Sequence, residues 1–209
     1  MSRRIVDISP VLSERVAVWP GDTPFSRTVN LSISSGANID LSDIRTSVHV
    51  GAHTDGPSHY VSGGASIDQR PLELYLGPCQ VFEVELPRGS RIRPGDLSGP
   101  VRAERVLFKT GSFPDPEHFN EDFCSLSAEL VDYLAQQGVS LVGIDTPSID
   151  LCQDKVLESH QAVARNDMAI LEGIVLADVS PGRYTLVALP LKLEGADASP
   201  VRAVLLDET

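Results

Sequence analysis

Three of the five histidines in this chain of 209 residues lie within eleven consecutive positions, and this cluster restricts the fold more than any other feature. The segment from His49 to His59 reads His-Val-Gly-Ala-His-Thr-Asp-Gly-Pro-Ser-His. Its β-branched and glycine residues, followed by Pro57, favour a strand that runs into a turn over a helix. A fold for this chain must therefore place imidazoles and a carboxylate close together, and buried polar groups need partners.

Alternate residues of a strand share a face, so a continuous strand would align His49, Gly51, His53 and Asp55 in one row. Successive members of such a row lie about 6.6–7 Å apart, which lets their side chains converge on a metal ion. We expect the missing side chain at Gly51 to leave space for the ion or its water. The pattern predicts a metal site, and hydrogen-bonded core or surface histidines are the alternative.

His59 follows Gly56-Pro57, which ends the strand, so its side chain need not join the row. It can face the metal without binding it. A histidine placed there is suited to take a proton from water and to deliver it to a leaving amine. We therefore predict that His59 is the general acid/base.

One strand rarely completes a coordination shell, and His160 and Glu172 are the candidates for the remaining ligands. Glu172 lies within the apolar run Met168–Leu176, where a carboxylate needs a cation or a donor. A salt bridge from Glu172 to an arginine such as Arg165 is an equal alternative. Three imidazoles and two carboxylates predict Zn²⁺, with Mn²⁺ as the second choice, and they are enough for two ions.

Short β-type runs recur along the chain and outnumber the helical patterns. They predict strands at 4–8, 28–33, 45–50, 80–86, 105–109, 141–144 and 184–190. One helix is predicted from a cap at Ser127 to a terminating Gly138. A second is predicted over about 155–165, with Val156 and His160 on its buried side. This mixture predicts an α/β (α+β) fold with a central mixed β-sheet flanked by a few helices.

The length and composition indicate one globular domain over residues 1–209, with 42% hydrophobic and 22% charged residues. No apolar run approaches the roughly 20 residues that a membrane-spanning helix needs. The net charge of −12, without a basic run, argues against nucleic acid as a partner.

The segment Met1–Asp7 has no secretory pattern, so a cytoplasmic protein is expected. The three cysteines are odd in number, and their spacing matches neither a disulfide framework nor a thiolate zinc site. We interpret them as reduced packing residues.

The histidine segment resembles the signature of the metal-dependent cyclase-like hydrolase family, which includes bacterial kynurenine formamidases. The matching pattern is His49-x-Gly51-Ala52-His53-x-Asp55-x-Pro57-x-His59. Further segments that resemble the formamidase branch are Asp7–Pro10, Trp19–Pro24, Gly143–Ser148, Ala169–Gly173, Ala188–Lys192 and Asp197–Ala203. Together they cover nearly the whole chain. The broad family often has threonine at the position of Ala52, which should face away from the row.

The resemblance implies the cyclase-like swivelling β/β/α fold, a homodimer, and a small-molecule substrate. The implied reaction is hydrolysis of N-formyl-L-kynurenine to formate and L-kynurenine in tryptophan breakdown. The implied two-zinc site has the ligands His49, His53, Asp55, His160 and Glu172, with His59 as acid/base and Trp19 in contact with the substrate.

Trp19 suits this role because its flat ring can stack on an aryl amine, although holding the loop around Pro20 is an equal alternative. Metal ligands determine the reaction type more firmly than the substrate. Another amide or lactam hydrolase with a different aryl substrate, and a non-catalytic metal-binding protein, therefore remain alternatives.

Overall fold

The computed structural model describes residues 4–207, so the start of the N-terminal segment used for the targeting expectation lies outside it. Its strands are β1 (Ile5–Asp7), β2 (Ser26–Leu31), β3 (Leu41–Arg45), β4 (His53–Asp55), β5 (Leu76–Glu83), β6 (Arg91–Ile92), β7 (Arg105–Lys109), β8 (Ser125–Leu126), β9 (Leu141–Ile144), β10 (Ala169–Glu172), β11 (Gly182–Val187), β12 (Ala198–Pro200) and β13 (Val204–Asp207). Its α-helices are α1 (Ala128–Gln136) and α2 (Glu158–Arg165). The predicted excess of strands over helices is confirmed.

Nine strands form one mixed sheet in the order β1-β13-β11-β5-β7-β9-β10-β4-β12. The central strands β5, β7, β9 and β10 run parallel to one another. The other neighbours in the sheet are antiparallel. β2 and β3 form a separate antiparallel ribbon, and β6 pairs with β8. The predicted α+β fold with a central mixed sheet is confirmed.

Both faces of the central sheet are buried. On β7, Val106 and Phe108 belong to the core on one face, whereas Leu107 belongs to the core on the other. Helices α1 and α2 cover the Phe108 face. Burial on both faces explains the apolar residues inside β7, between Arg105 and Lys109, and throughout β9. Both strands have the bounds that the sequence predicts.

Helix α1 forms where the sequence predicts it. The Ser127 hydroxyl accepts a hydrogen bond from Leu130 N at 3.1 Å, and Gly138 after the helix adopts φ +82°. Helix α2 begins later than predicted, because the Asp154 carboxylate accepts from the backbone N–H of Val156 and of the next residue. Val156 lies in that turn and is 73% exposed, so its predicted burial is wrong.

The predicted strand over residues 45–50 is also wrong. β3 ends at Arg45, and the chain turns through residues 48–52 before β4 begins at His53. Gly51 lies in this turn with φ +58°, a left-handed conformation that a strand does not contain. The continuous row of four side chains is therefore broken between Gly51 and His53.

The strand at 169–172 was not among the predicted ones, because a short apolar run does not distinguish a buried strand from a buried helix. All three cysteines are free, as expected. Neither α-helix of the described residues has the length and apolar character needed to cross a membrane.

Candidate metal centre

Two neighbouring strands and one helix place four of the predicted ligand side chains together. β4 and β10 are antiparallel, with His53 opposite Glu172, and the His53 Nε2 to Glu172 Oε2 distance is 3.2 Å. His53 and Asp55 share one face of β4 because they are two residues apart. From α2, His160 Nε2 lies 3.5 Å from Asp55 Oδ2 and 3.6 Å from Glu172 Oε1.

His49 reaches the same cluster from the turn before β4. Its Nδ1 lies 3.2 Å from Asp55 Oδ1. The expected gap at Gly51 does not face this cluster, because a Cβ there would lie 2.7 Å from Leu12 Cδ2 and 3.1 Å from Pro10 Cγ. The missing side chain at Gly51 instead allows close packing against Pro10 and Leu12. Ala52 packs in the hydrophobic core, away from the cluster, as expected.

Asp55 is the buried centre of the cluster. Among the residues that the structure describes, neither of its carboxylate oxygens has a hydrogen-bond partner. The nearby nitrogens of His49 and His160 are close enough to interact electrostatically but lack hydrogen-bonding geometry. A buried carboxylate without hydrogen-bond donors needs positive charge nearby, which protonated imidazoles or a metal ion can supply.

Possible ligand atoms of the described residues form three groups: one consists of His49, His59 and Asp197, and the other two share Asp55. His49, His53 and Asp55 have such atoms within 4.8 Å of one another, as do Asp55, His160 and Glu172. Imidazole nitrogens and carboxylate oxygens are the donors that Zn²⁺ and Mn²⁺ accept. The residues therefore fit a divalent metal ion.

The electrostatics of the cluster favour positive charge. Burial lowers the pKa of His49, but Asp55 and Asp197 outweigh this effect and raise the pKa to about 9. Burial likewise opposes a charged His160, but Asp150 and Asp55 raise its pKa to about 10. Burial would raise the pKa of Asp55, yet the neighbouring imidazoles hold that pKa well below its usual range.

These shifts predict how the stability of the metal-free protein depends on pH. The pKa values of His49 and His160 lie above the ordinary 6.5, so the two protonated rings contribute fully to the free energy of unfolding below about pH 6.5. This stabilisation is lost as the pH rises through 9 and 10, so we expect the Tm of the chelator-treated protein to fall across this interval. Differential scanning calorimetry measures the fall, and His160→Gln should make it shallower. A Tm of wild type that falls no more steeply than that of the variant would contradict the assignment.

Asp150 is fully buried and binds His160 on the side of the ring that faces away from Asp55 and Glu172. One of its oxygens accepts from His160 Nδ1 at 2.8 Å and from the backbone N–H of His160 at 3.0 Å. Arg91 Nη1 donates to the other oxygen at 2.8 Å and also pairs with Asp154. Because Nδ1 donates to Asp150, Nε2 of His160 is free to act as a ligand in the cluster.

We expect Asp150→Asn to weaken metal affinity about 10- to 100-fold, because an uncharged partner holds the His160 ring less firmly. Competition with a chromogenic chelator measures this affinity, and circular dichroism checks that the variant is folded. Asp132→Asn, which removes a charge from an exposed ion pair with Arg165, is the matched control. Unchanged affinity in a folded Asp150→Asn protein would contradict the role of Asp150.

A cavity of about 710 Å³ opens beside the cluster. His59 lies at its edge with its side chain 36% exposed, and its ring centroid is 4.2 Å from that of His49. Trp19 also lines the cavity and packs edge-on against Phe119 at 5.5 Å between centroids. Phe113, which contacts Phe119, extends this aromatic wall.

Several alternatives from the sequence can now be decided. Arg165 pairs with Asp132 at 2.6 Å, so the proposed salt bridge to Glu172 is wrong. Glu172 instead accepts from the backbone N–H of Ile149 at 2.6 Å. Sequence reasoning missed four residues of the site region: Phe113, Phe119, Asp150 and Asp197. Of these, Asp197 alone had a signal, because it begins one of the segments with the family resemblance.

The chain is similar to known proteins over nearly its whole length. The Cyclase family model matches residues 6–151. The chain belongs to the Cyclase family. It is 42% identical over 205 residues to the kynurenine formamidase of Bordetella petrii (strain ATCC BAA-461 / DSM 12804 / CCUG 43448), an alignment that covers 97% of this chain and 98% of that protein.

Solved structures of similar proteins share the fold of this Cyclase family member. A "potential metal-dependent hydrolase with cyclase activity" superimposes with a TM-score of 0.85 at 31% identity, covering 100% of both chains. A "predicted metal-dependent hydrolase" from Bacillus stearothermophilus gives a TM-score of 0.83 at 31% identity, also over 100% of both chains. Isatin hydrolase A from Labrenzia aggregata, at 21% identity, has a TM-score of 0.83 over 98% of this chain and 93% of its own. This last likeness shows a common fold alone.

Proposed function

We propose that this chain is a metal-dependent arylformamidase that hydrolyses N-formyl-L-kynurenine to L-kynurenine and formate in tryptophan degradation. One observation carries the proposal. Asp55, which is buried and lacks hydrogen-bond donors among the described residues, lies beside three imidazoles and Glu172, next to a cavity lined by aromatic side chains. The 42% identity to a kynurenine formamidase supports the substrate.

We propose His49, His53, Asp55, His160 and Glu172 as the metal ligands. Zn²⁺ is the proposed ion, and the membership of Asp55 in two separate groups of possible ligands supports two ions per subunit. When bound, such a cation lowers the pKa of water and polarises a carbonyl oxygen. The carboxylates of Asp55 and Glu172 provide the negative charge that retains the cation, and their burial strengthens the attraction.

His59 is the proposed acid/base, since its ring is accessible from the cavity and close to His49. It takes a proton from the attacking water and delivers it to the departing aryl amine. Trp19, with Phe119 and Phe113 beside it, provides a flat apolar surface for the aryl ring of the substrate. These side chains orient the substrate with its small formyl group toward the buried carboxylates.

Release of kynurenine from N-formyl-L-kynurenine, followed by its absorbance, tests the substrate. We expect turnover to stop after chelation and to return when Zn²⁺ or Mn²⁺ is added. Isatin and formanilide, assayed in parallel, distinguish a different amide or lactam hydrolase. No turnover of N-formyl-L-kynurenine with any metal would exclude the assigned reaction.

His59→Ala distinguishes the enzyme from a metal-binding protein without catalytic function. We expect the variant to keep its metal content and to lose hydrolysis by about 10²- to 10⁴-fold, the usual contribution of a general acid/base. His118→Ala is the control, because that imidazole is 83% exposed and pairs with Asp115. Loss of metal together with activity would instead identify His59 as a ligand.

We also propose one domain over residues 1–209 and assembly as a homodimer. Every residue of β2 and β3 is exposed, and the ribbon carries apolar side chains such as Val29, 54% exposed, and Ile44, 62% exposed. Exposed apolar surface of this kind supports coverage by a second copy. Light scattering should give a dimer for wild type and a monomer for Val29→Lys/Ile44→Lys, and a monomeric wild type would exclude the assembly.

A further inference from the structure

We propose that Asp197 is a positioning residue that orients His49 and His59 together through one carboxylate oxygen. The inference rests on the proposed function of this site, since it assigns His49 to the metal and His59 to proton transfer. It adds to that function a physical link between the two histidines.

One oxygen of Asp197 lies beside both rings. Asp197 Oδ2 is 2.9 Å from His49 Nε2 and 3.3 Å from His59 Nδ1. The planes of the two rings are tilted by 43° to each other, and their centroids lie 4.2 Å apart. An ionised carboxylate oxygen can accept two N–H donors at once.

This arrangement determines which nitrogen of each ring remains available. The His49 ring spans two carboxylates, with Nε2 on Asp197 and Nδ1 3.2 Å from Asp55 Oδ1. Donation from Nε2 to Asp197 leaves Nδ1 of His49 with a free lone pair for the metal. Donation from Nδ1 of His59 to the same oxygen leaves its Nε2 as the nitrogen that can exchange a proton with the substrate.

The backbone around Asp197 is fixed to the strand that bears the other ligands. Asp197 O accepts from Gly56 N at 2.7 Å, directly after β4. The next residue, Ala198, pairs with Asp55 in the β12–β4 register. The backbone at Gly56 is closely packed, since a Cβ there would lie 2.8 Å from Ile67 N. These contacts hold the backbone of Asp197 beside β4, and the contacts of Oδ2 with His49 and His59 position its half-exposed side chain.

Removal of this carboxylate should release both rings without changing the apolar wall that binds the substrate. For Asp197→Ala we expect kcat to fall about 10- to 100-fold and metal affinity to fall about tenfold, the usual effect of losing a partner of a metal-ligating histidine. KM should change by less than about twofold, since uniform substrate binding is retained. Asp197→Asn, whose amide oxygen can still accept one N–H, should recover part of kcat.

A spectroscopic readout separates positioning from a structural effect and needs no substrate. Long-range ¹H–¹⁵N spectra of the zinc-loaded, ¹⁵N-histidine-labelled protein, assigned with His59→Asn, report the tautomer of His59. We expect a single Nδ1–H tautomer in wild type and a mixture in Asp197→Ala. This measurement stands even if N-formyl-L-kynurenine proves not to be the substrate.

Asp68→Ala is the matched control, because Asp68 anchors the same loop by accepting from Gly195 N at 3.1 Å but is not among the contacts of either histidine. It should retain the wild-type His59 tautomer, metal affinity and kcat. An unchanged His59 tautomer in Asp197→Ala would overturn the proposal. Equal losses in Asp68→Ala and Asp197→Ala would also overturn it, because they would indicate a general loosening of the loop.

Discussion

Asp55→Asn should remove both metal binding and hydrolysis. Asp55 belongs to two of the three groups of possible ligand atoms, and its oxygens are buried without hydrogen-bond donors among the described residues. An amide of the same size keeps the packing but removes the charge and offers an N–H₂ group to the cation. We expect kcat/KM to fall at least about a thousandfold, which corresponds to about 4 kcal/mol of lost transition-state stabilisation.

Metal content by atomic emission and kynurenine release by absorbance measure the two effects. Asp132→Asn removes the same charge from an exposed position and should retain both. A folded Asp55→Asn protein that kept its metal and more than about a tenth of its activity would show that Asp55 is not central to the site.

Gly173→Ala should cause the largest loss of stability among single substitutions near the site. Gly173 follows Glu172 and adopts φ +65°. A Cβ there would lie 2.1 Å from Gly51 O and 2.8 Å from Gly51 C. Both atoms belong to the backbone, so no side-chain rotation relieves the clash, and the left-handed conformation adds strain. We expect the free energy of unfolding to fall by about 3 kcal/mol or more.

Urea unfolding measures this change, with Gly99→Ala as the control, since a Cβ at Gly99 meets no atom within 4 Å. The Gly173 variant should also bind metal weakly, because Gly51 is in the turn that presents His49. Similar unfolding free energies for the two variants would show that the turn can move aside at little cost.

The ligand residues could be proposed from the sequence because their chemistry is specific, but their geometry could not. A glycine between two histidines is compatible with a strand by local pattern alone. The contact that favours the turn instead joins Gly51 to Gly173, and a local pattern does not contain such long-range contacts. Asp150 was missed for a related reason, since its partners Arg91 and His160 lie 59 and 10 residues away along the chain and no local pattern links them.

The fold shows the same limit. β7 and β9 were predicted at their observed bounds because burial on both faces gives continuous apolar runs. The short strands β6, β8 and β12 were not predicted, since two or three residues carry no periodicity. Such strands form because a neighbouring strand offers hydrogen bonds. Which strands become neighbours depends on the fold of the whole chain, so the local sequence does not reveal them.

The position of β4 in the sheet determines when the site can form during synthesis. Asp55 pairs with Ile170 on one side and with Ala198 on the other, so both neighbours of β4 leave the ribosome long after it. Closing such long loops is slow, and until then the nascent chain displays an unpaired strand with two of the five proposed ligands, His53 and Asp55. The proposed ligands can therefore assemble only after β10 and β12 have emerged, so ion uptake reports that these two strands have paired with β4.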